Sequence, residues 1–310
     1  MELLSIYSKL ISESLLSLYP IFVKKINLPI DIQLWTRLIT YVMVSLFFIN
    51  YTWVTTNIFA PESIGLSLVN IIHVYSSYQG FLNLDSGVAF SIFNIYPILI
   101  LLFSGIAWKK EYFLAMVGLI FFIYSSSIDD EKNNKSNMNF IYGFGMIILA
   151  AITEAIIYFI IKNIKTDNSW NHLFIAYFLG SILTSLYIFK DYIFSNNYLN
   201  VNSDVNPDVN SDVNPDVNPD VNLSETKSKI NYENISQIAL SLIINGIIGS
   251  IGYFLRFYSV YRLEPGIYSI LSFFGILTAY FYGIVFNEET IDMYKIIGTI
   301  LIVLSNYLIL

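Results

Sequence analysis

The chain has 310 residues, 55% of them hydrophobic and 17% aromatic, with only 13% charged and a formal net charge of −7. A soluble domain of this size carries charge on about a quarter of its residues, so this chain cannot cover its surface with polar groups, and lipid must be its solvent. The absence of cysteine excludes disulfides and thiolate chemistry, and no basic patch points to nucleic acid as a partner.

Crossing a hydrocarbon core of about 30 Å takes roughly 20 apolar residues in a helix. Such runs lie at 3–22, 32–50, 63–81, 85–107 and 112–127. After the polar break IDDEKNNKSN they resume at 139–161, 171–189, 236–258, 265–286 and 291–310. The first run opens in MELLSIYSKL, which has neither a basic n-region nor a small-residue cleavage site, so it is expected to be a span rather than a removable signal. Backbone groups in lipid must be satisfied within each segment, which makes the runs helices. The sequence thus predicts an all-α integral membrane protein, multi-pass, with ten transmembrane helices.

The chain also echoes itself. SESLLSLYPIFVK (12–24) and TEAIIYFIIKNIK (153–165) each place a hydroxyl and a Glu early in a helix, with a Lys eleven residues after the Glu. DSGVAFSIFNIYPILILLF begins with Asp85 and Gly87, and EPGIYSILSFFGILTAYFY with Glu264 and Gly266. Each leads to a charged joint and then a Gly nine residues on, Lys109 to Gly118 and Glu289 to Gly298. Two five-helix repeats are expected, 1–127 and 139–310, joined by a polar linker at 128–138. Five is odd, so the second repeat is inverted, which puts a binding site near the midplane. Chance similarity between apolar helices is the alternative.

A low-complexity loop at about 191–235 interrupts the second repeat. Its core, SDVNPDVNSDVNPDVNPDVN (203–222), holds prolines at 207, 215 and 219 that oppose helix. It lacks the turn glycine of known calcium loops and is read as a disordered spacer.

NEETIDMYKIIGTILIVLSNYLI resembles the last helix of the drug/metabolite transporter superfamily, EamA type, with Glu289 and Gly298 matching its pattern. GYFLRFYSVYRLEPGIYSILSFFGIL (252–277), Arg37 in LWTRLITYVMV and Pro97 in NIYPILILLF match other parts of that pattern, so the likeness covers nearly the whole chain outside about 190–235. Lys109 stands where the family usually has Glu, and the family's Pro in the ninth helix is replaced near Gly275. The resemblance implies a transporter of small organic metabolites working by alternating access, with both termini in the cytoplasm. Basic residues at the joints lean slightly the other way, while three sequons (Asn134, Asn222, Asn234) share the opposite face. The alternative is a non-transporting membrane scaffold or interaction protein that keeps the fold.

Charged groups within spans cost about 2.5–3.5 kcal/mol each on insertion scales, which makes them functional candidates. Glu13 and Glu154 occupy equivalent places in the two repeats. Lys9 lies four residues before Glu13, so a structural ion pair competes with a functional role there. Glu154 has no partner on its own turn, and is expected to face the interior either protonated or matched by a cation. His73 is read as a packing residue or a proton relay, and Asn94 as a substrate contact or a helix bridge. Arg256, beside Tyr253 and Tyr258, is read as a clamp on an anionic substrate or as a snorkelling interfacial charge. The candidate substrate-binding set is therefore Glu13, His73, Asn94, Glu154, Tyr253 and Arg256. No catalytic or metal-ligand motif is present, so neither an enzyme nor a cofactor is expected. Expected partners are the lipid bilayer and a small-molecule substrate, with proton coupling, exchange and a homodimer left open.

Overall fold

The computed structural model describes residues 2–26, 28–104, 113, 114, 116–121, 124, 125, 137–195 and 232–309. The tetrad loop at 203–222 lies outside the described residues, as do most of the linker at 128–138 and part of the run at 112–127. All regular structure among the described residues is helical. In chain order it comprises α1 (Glu2–Leu16), α2 (Tyr19–Lys25), α3 (Ile30–Leu46), α4 (Tyr51–Asn57), α5 (Pro61–Asn83), α6 (Ser86–Phe93) and α7 (Tyr96–Phe103). After the break come α8 (Asn137–Asn163), α9 (Ser169–Ser195), α10 (Tyr232–Arg262), α11 (Pro265–Ser272), α12 (Phe274–Asn287) and α13 (Met293–Ile309).

Several runs are interrupted, and proline explains two of the breaks. Pro20 offers no N–H to the Leu16 carbonyl, and Pro97 none to that of Phe93. The helix stops at Leu16 and restarts at Tyr19, and again stops at Phe93 and restarts at Tyr96. Between α11 and α12 the ladder tightens for one step, the Phe273 N–H donating to the Ile270 carbonyl at 3.2 Å. The stretch between the second and third runs, expected to be a connection, contains α4. Asn50 caps it, its side-chain oxygen accepting the Trp53 N–H at 3.0 Å, and α4 meets α5 at 89°.

Five helical stretches among the described residues are long and apolar enough to cross a membrane: Ser86–Phe103, Met138–Asn163, Ser169–Lys190, Gln237–Arg262 and Pro265–Asn287. Counting the bent pair α4 and α5 as one span gives six. The other runs fall short for physical reasons. α1 carries Lys9 and Glu13 and breaks before Pro20, α3 carries Asp31, Gln33 and Arg37, and α13 is a shorter apolar helix. Residues that line the interior lower the hydropathy of the helix that bears them.

Helices in lipid gain little from hydrophobic burial against one another, so they associate through small residues and polar bonds. α5 lies against α8, α1 against α10, and α3 against α9 and α10. At the α5–α8 crossing a Cβ on Gly143 would lie 2.7 Å from Cβ of Asn83, and one on Gly80 would meet Ile147 at 2.2 Å. Ser12 donates to the Gly252 carbonyl at 2.8 Å, Asn70 to that of Ala176 at 3.0 Å, and Ser67 to that of Ile175.

Gly143→Val should separate α5 from α8 and destabilise the protein by about 1–3 kcal/mol, read as a lower melting temperature in detergent. Gly145→Ala, whose added methyl meets open space, should leave it unchanged. Glu288 ends α12 at φ 54°, the left-handed region, where a side chain costs about 1–2 kcal/mol. Glu288→Gly should therefore raise the same melting temperature.

Candidate functional site

Five elements converge on a buried charge cluster. α1 supplies Lys9 and Glu13, α5 supplies His73, α7 supplies Tyr96, α8 supplies Glu154, and α10 supplies Tyr253 and Arg256. Lys9 and Glu13 sit one turn apart on one face of α1, and Nζ of Lys9 lies 2.5 Å from Oε1 of Glu13. Arg256 spans the gap to α8: Nη2 donates to Oε1 of Glu13 at 2.9 Å and Nη1 to Oε1 of Glu154 at 2.9 Å. Lys9 also donates to the Tyr96 hydroxyl at 3.0 Å and lies 3.7 Å from the centre of the Tyr268 ring. The Tyr96 hydroxyl donates in turn to Ser272 at 2.7 Å. Glycine makes part of the room, since a Cβ on Gly275 would stand 2.6 Å from Oε2 of Glu13.

His73 closes the chain on the Glu154 side. Its Nδ1 faces the Ala150 carbonyl at 3.1 Å and the Thr153 hydroxyl at 3.2 Å. A carbonyl only accepts, so Nδ1 carries the proton. Nε2 is then free to accept from the Tyr253 hydroxyl at 3.0 Å, and stands 3.4 Å from Oε2 of Glu154. A proton arriving on Nε2 would turn that second contact into an ion pair.

Beside this cluster lies Arg37 of α3, 2% exposed. Its guanidinium carbon is 4.0 Å from the centre of the Tyr19 ring, 5.2 Å from Tyr78, 5.3 Å from Tyr41 and 5.4 Å from Tyr253. None of its three side-chain nitrogens makes a hydrogen bond of good geometry, and the hydroxyls of Tyr19, Tyr41, Tyr78 and Tyr177 are likewise unpartnered. Arg37, Arg256, His73 and Tyr253 share the wall of a cavity of about 20 Å³, completed by Leu16, Tyr19, Ser77, Phe81, Phe90 and Phe93.

A second polar group closes one end of the bundle. It answers for the charged joint between α12 and α13. Glu289 accepts the Ser86 N–H at 2.7 Å, at the start of α6, together with the Ser86 hydroxyl at 2.6 Å and Nζ of Lys24 at 2.7 Å. Lys295 reaches Asp85 at 2.8 Å, and Asp292 accepts from Ser125. At α8's far end Lys162 donates to the Leu263 carbonyl at 3.1 Å.

Of the residues singled out in the sequence, Glu13, His73, Glu154, Tyr253 and Arg256 meet in one network, and the Lys9–Glu13 ion pair is present. The snorkelling alternative for Arg256 is overturned: the residue is 1% exposed and held by two carboxylates, because acids on α1 and α8 reach it before any interface does. Tyr258 does not join it; its ring lies 3.8 Å from the guanidinium of Arg262. Asn94 is buried but bonds its own helix, donating to the Phe90 carbonyl at 2.8 Å, and its side-chain oxygen is unpartnered. The sequence reading did not include Arg37 in the site. The signal was there, an arginine amid apolar residues, but its tyrosine surroundings come from several helices and leave no local pattern. Among the described residues no group of three or more His, Cys, Asp and Glu is placed to hold a metal ion.

Arg256→Gln strands two buried acids with only Lys9 to balance them, and should destabilise the protein by about 3–5 kcal/mol. Adding Glu154→Gln restores charge balance, so the double variant should melt above the Arg256→Gln single variant. A double variant no more stable than the single one would show that charge pairing does not hold these helices together.

Comparison with known proteins bears on what this network serves. A solved structure described only as a crystal structure of a protein superposes with a TM-score of 0.54 at 10% identity, covering 98% of this chain and 94% of that one. The likeness is therefore of fold, over the whole length. No curated protein matches the chain. Residues 221–310, which include Arg256, Glu289 and Gly298, match the sequence model of the EamA-like transporter family. This match over the last 90 residues supports membership of the drug/metabolite transporter superfamily, and with the long apolar helices it supports an integral, multi-pass membrane protein.

Proposed function

We propose that the chain is a ten-helix carrier that moves a small organic solute by alternating access of two inverted five-helix halves, 1–127 and 139–310, joined by the linker 128–138. One observation carries the reading: Glu13 and Glu154, at matching places in the two halves, share the guanidinium of Arg256 at 2.9 Å each. A pseudo-twofold axis between inverted halves would produce such a meeting. A second echo agrees, since a Cβ on Gly118 would lie 2.7 Å from the carbonyl oxygen of Gly298. Interrupted helices beside a central polar site are also what transporters of inverted-repeat design use.

The geometry suits an occluded carrier. The cavity of about 20 Å³ holds roughly one water. One end of the bundle is pinned by the Lys24–Glu289 and Lys295–Asp85 pairs, the other by Lys162 on the Leu263 carbonyl. Opening either end means releasing a few rim contacts while the central cluster persists. Glu154 and His73 supply a place where a proton could be held and released without leaving the cluster, which supports proton coupling or exchange as the mode of transport.

Purified protein in liposomes should give saturable, counterflow-stimulated uptake of at least one solute from a broad metabolite panel. Glu154→Gln should still insert and fold, because Arg256 keeps Glu13, but should lose flux or its dependence on pH. Wild-type rates and an unchanged pH profile in that variant would leave Glu154 a structural residue. Absence of flux across the panel, with specific binding of a membrane protein instead, would favour the scaffold reading.

A further inference from the structure

The charges of the interior do not cancel. Lys9 and Arg256 balance Glu13 and Glu154 through direct contacts, and His73 as the neutral imidazole adds nothing. Among the described residues Arg37 then leaves one positive charge over, fully buried, its guanidinium facing only neutral tyrosine rings and hydroxyls, Tyr177 and Tyr253 among them. Ring faces attract it, the nearest being Tyr19 at 4.0 Å. They offset only part of its lost hydration, and they accept none of its N–H groups in good geometry. Around it the hydroxyls of Tyr19, Tyr41 and Tyr78 likewise make no hydrogen bond of good geometry. Neutral hydroxyls can solvate the cation but cannot balance its charge, which a monoanion would match.

We propose that Arg37 anchors the transported solute, and that this solute bears a single carboxylate on an apolar or aromatic body. A carboxylate fits the planar fork of a guanidinium in bidentate fashion and can take phenolic hydroxyls on its remaining lone pairs. Phe81, Phe90 and Phe93 on the cavity wall receive the body. A phosphate dianion would replace an excess positive charge with an excess negative one, and a cation would double the imbalance. Arg256 is excluded as the anchor because both of its terminal nitrogens already serve Glu13 and Glu154. The cavity of about 20 Å³ is too small for the whole solute, so entry requires the helices to part. That the solute is transported rests on the carrier reading above; the binding site itself does not.

The test uses the full chain in detergent at neutral pH with four probes: phenylacetate, phenylacetamide, 2-phenylethylamine and phenyl phosphate. Calorimetry should find phenylacetate bound, and the other three weaker by about tenfold or more. Arg37→Gln should weaken phenylacetate by about thirtyfold or more, and Arg37→Lys should keep part of the binding. Ligand-free Arg37→Met should melt at or above the wild-type temperature, since an uncompensated buried charge has been removed. The proposal is overturned if phenylacetate does not bind, if the amide, amine or phosphate ester binds as well or better, or if Arg37→Met melts well below wild type. Phenylacetate binding with no flux of any solute would sink the carrier reading and leave the anion site standing. Flux of a solute that phenylacetate does not inhibit would do the reverse.

Discussion

An arginine held between two carboxylates from different helices is the contact on which this interior depends. Arg256 is fully desolvated, and an ion in that position is tolerated only when its charge and its hydrogen-bond donors are met together. Glu13 and Glu154 do this at 2.9 Å each, and Lys9 balances the second negative charge at 2.5 Å. Removing Arg256 leaves two acids with one base in low dielectric, which is far more costly than loss of a methyl contact. The cluster therefore sets the relative depth of α1, α8 and α10, and Leu16, Tyr253 and Arg256 on the cavity wall take their places from two of those helices.

Elsewhere the bundle is held by weaker and more numerous devices. Helices in lipid gain little by burying apolar surface against one another, and this chain uses glycine to bring backbones close and serine to tie them. Gly80 and Gly143 open the α5–α8 crossing, while Ser12, Ser67 and Asn70 donate to carbonyls of neighbouring helices. Many other hydroxyls donate back to their own helix, as Thr36 does to the Ile32 carbonyl at 2.8 Å. Such bonds satisfy the hydroxyl without fixing a neighbour, and so leave adjacent helices free to shift.

Much of this was legible in the sequence, for reasons that can be named. Charged residues in apolar runs pointed at the cluster because lipid makes each one conspicuous; Glu13 and Glu154 stood out further because their flanking sequences echo each other. The Lys9–Glu13 pair followed from helical spacing alone. What was illegible depends on several helices at once. Arg37 has no acidic neighbour in sequence, and the rings around it, Tyr19, Tyr41, Tyr78 and Tyr253, come from four different helices. The breaks at Pro20 and Pro97 could have been read from the missing N–H groups, but proline is common enough in membrane helices to be absorbed without a break. α4 was hidden because Asn50 and its capping of Trp53 sit where the apolar run ends, a place equally suited to a loop.

The two arginines differ in a way that separates architecture from function. Arg256 has both terminal nitrogens committed to carboxylates, so its charge is matched and disturbing it costs stability. Arg37 is equally buried, yet only neutral tyrosine groups face it, the ring contacts being worth about 2 kcal/mol or a little more when desolvated, against an unpaired-ion penalty of several kcal/mol. An imbalance of this kind forgoes stability that a single substitution would restore, as sites shaped for activity commonly do. The rim contacts contrast with both. Lys24 is partly exposed in its pair with Glu289, and ion pairs near solvent contribute about 0–1 kcal/mol. The order of strengths thus runs from a firm centre to loose ends, with Arg37 beside the centre unmatched by any acid among the described residues. A protein built this way gives more readily at its two ends than in its middle, and an anion reaching the middle would meet that unmatched charge.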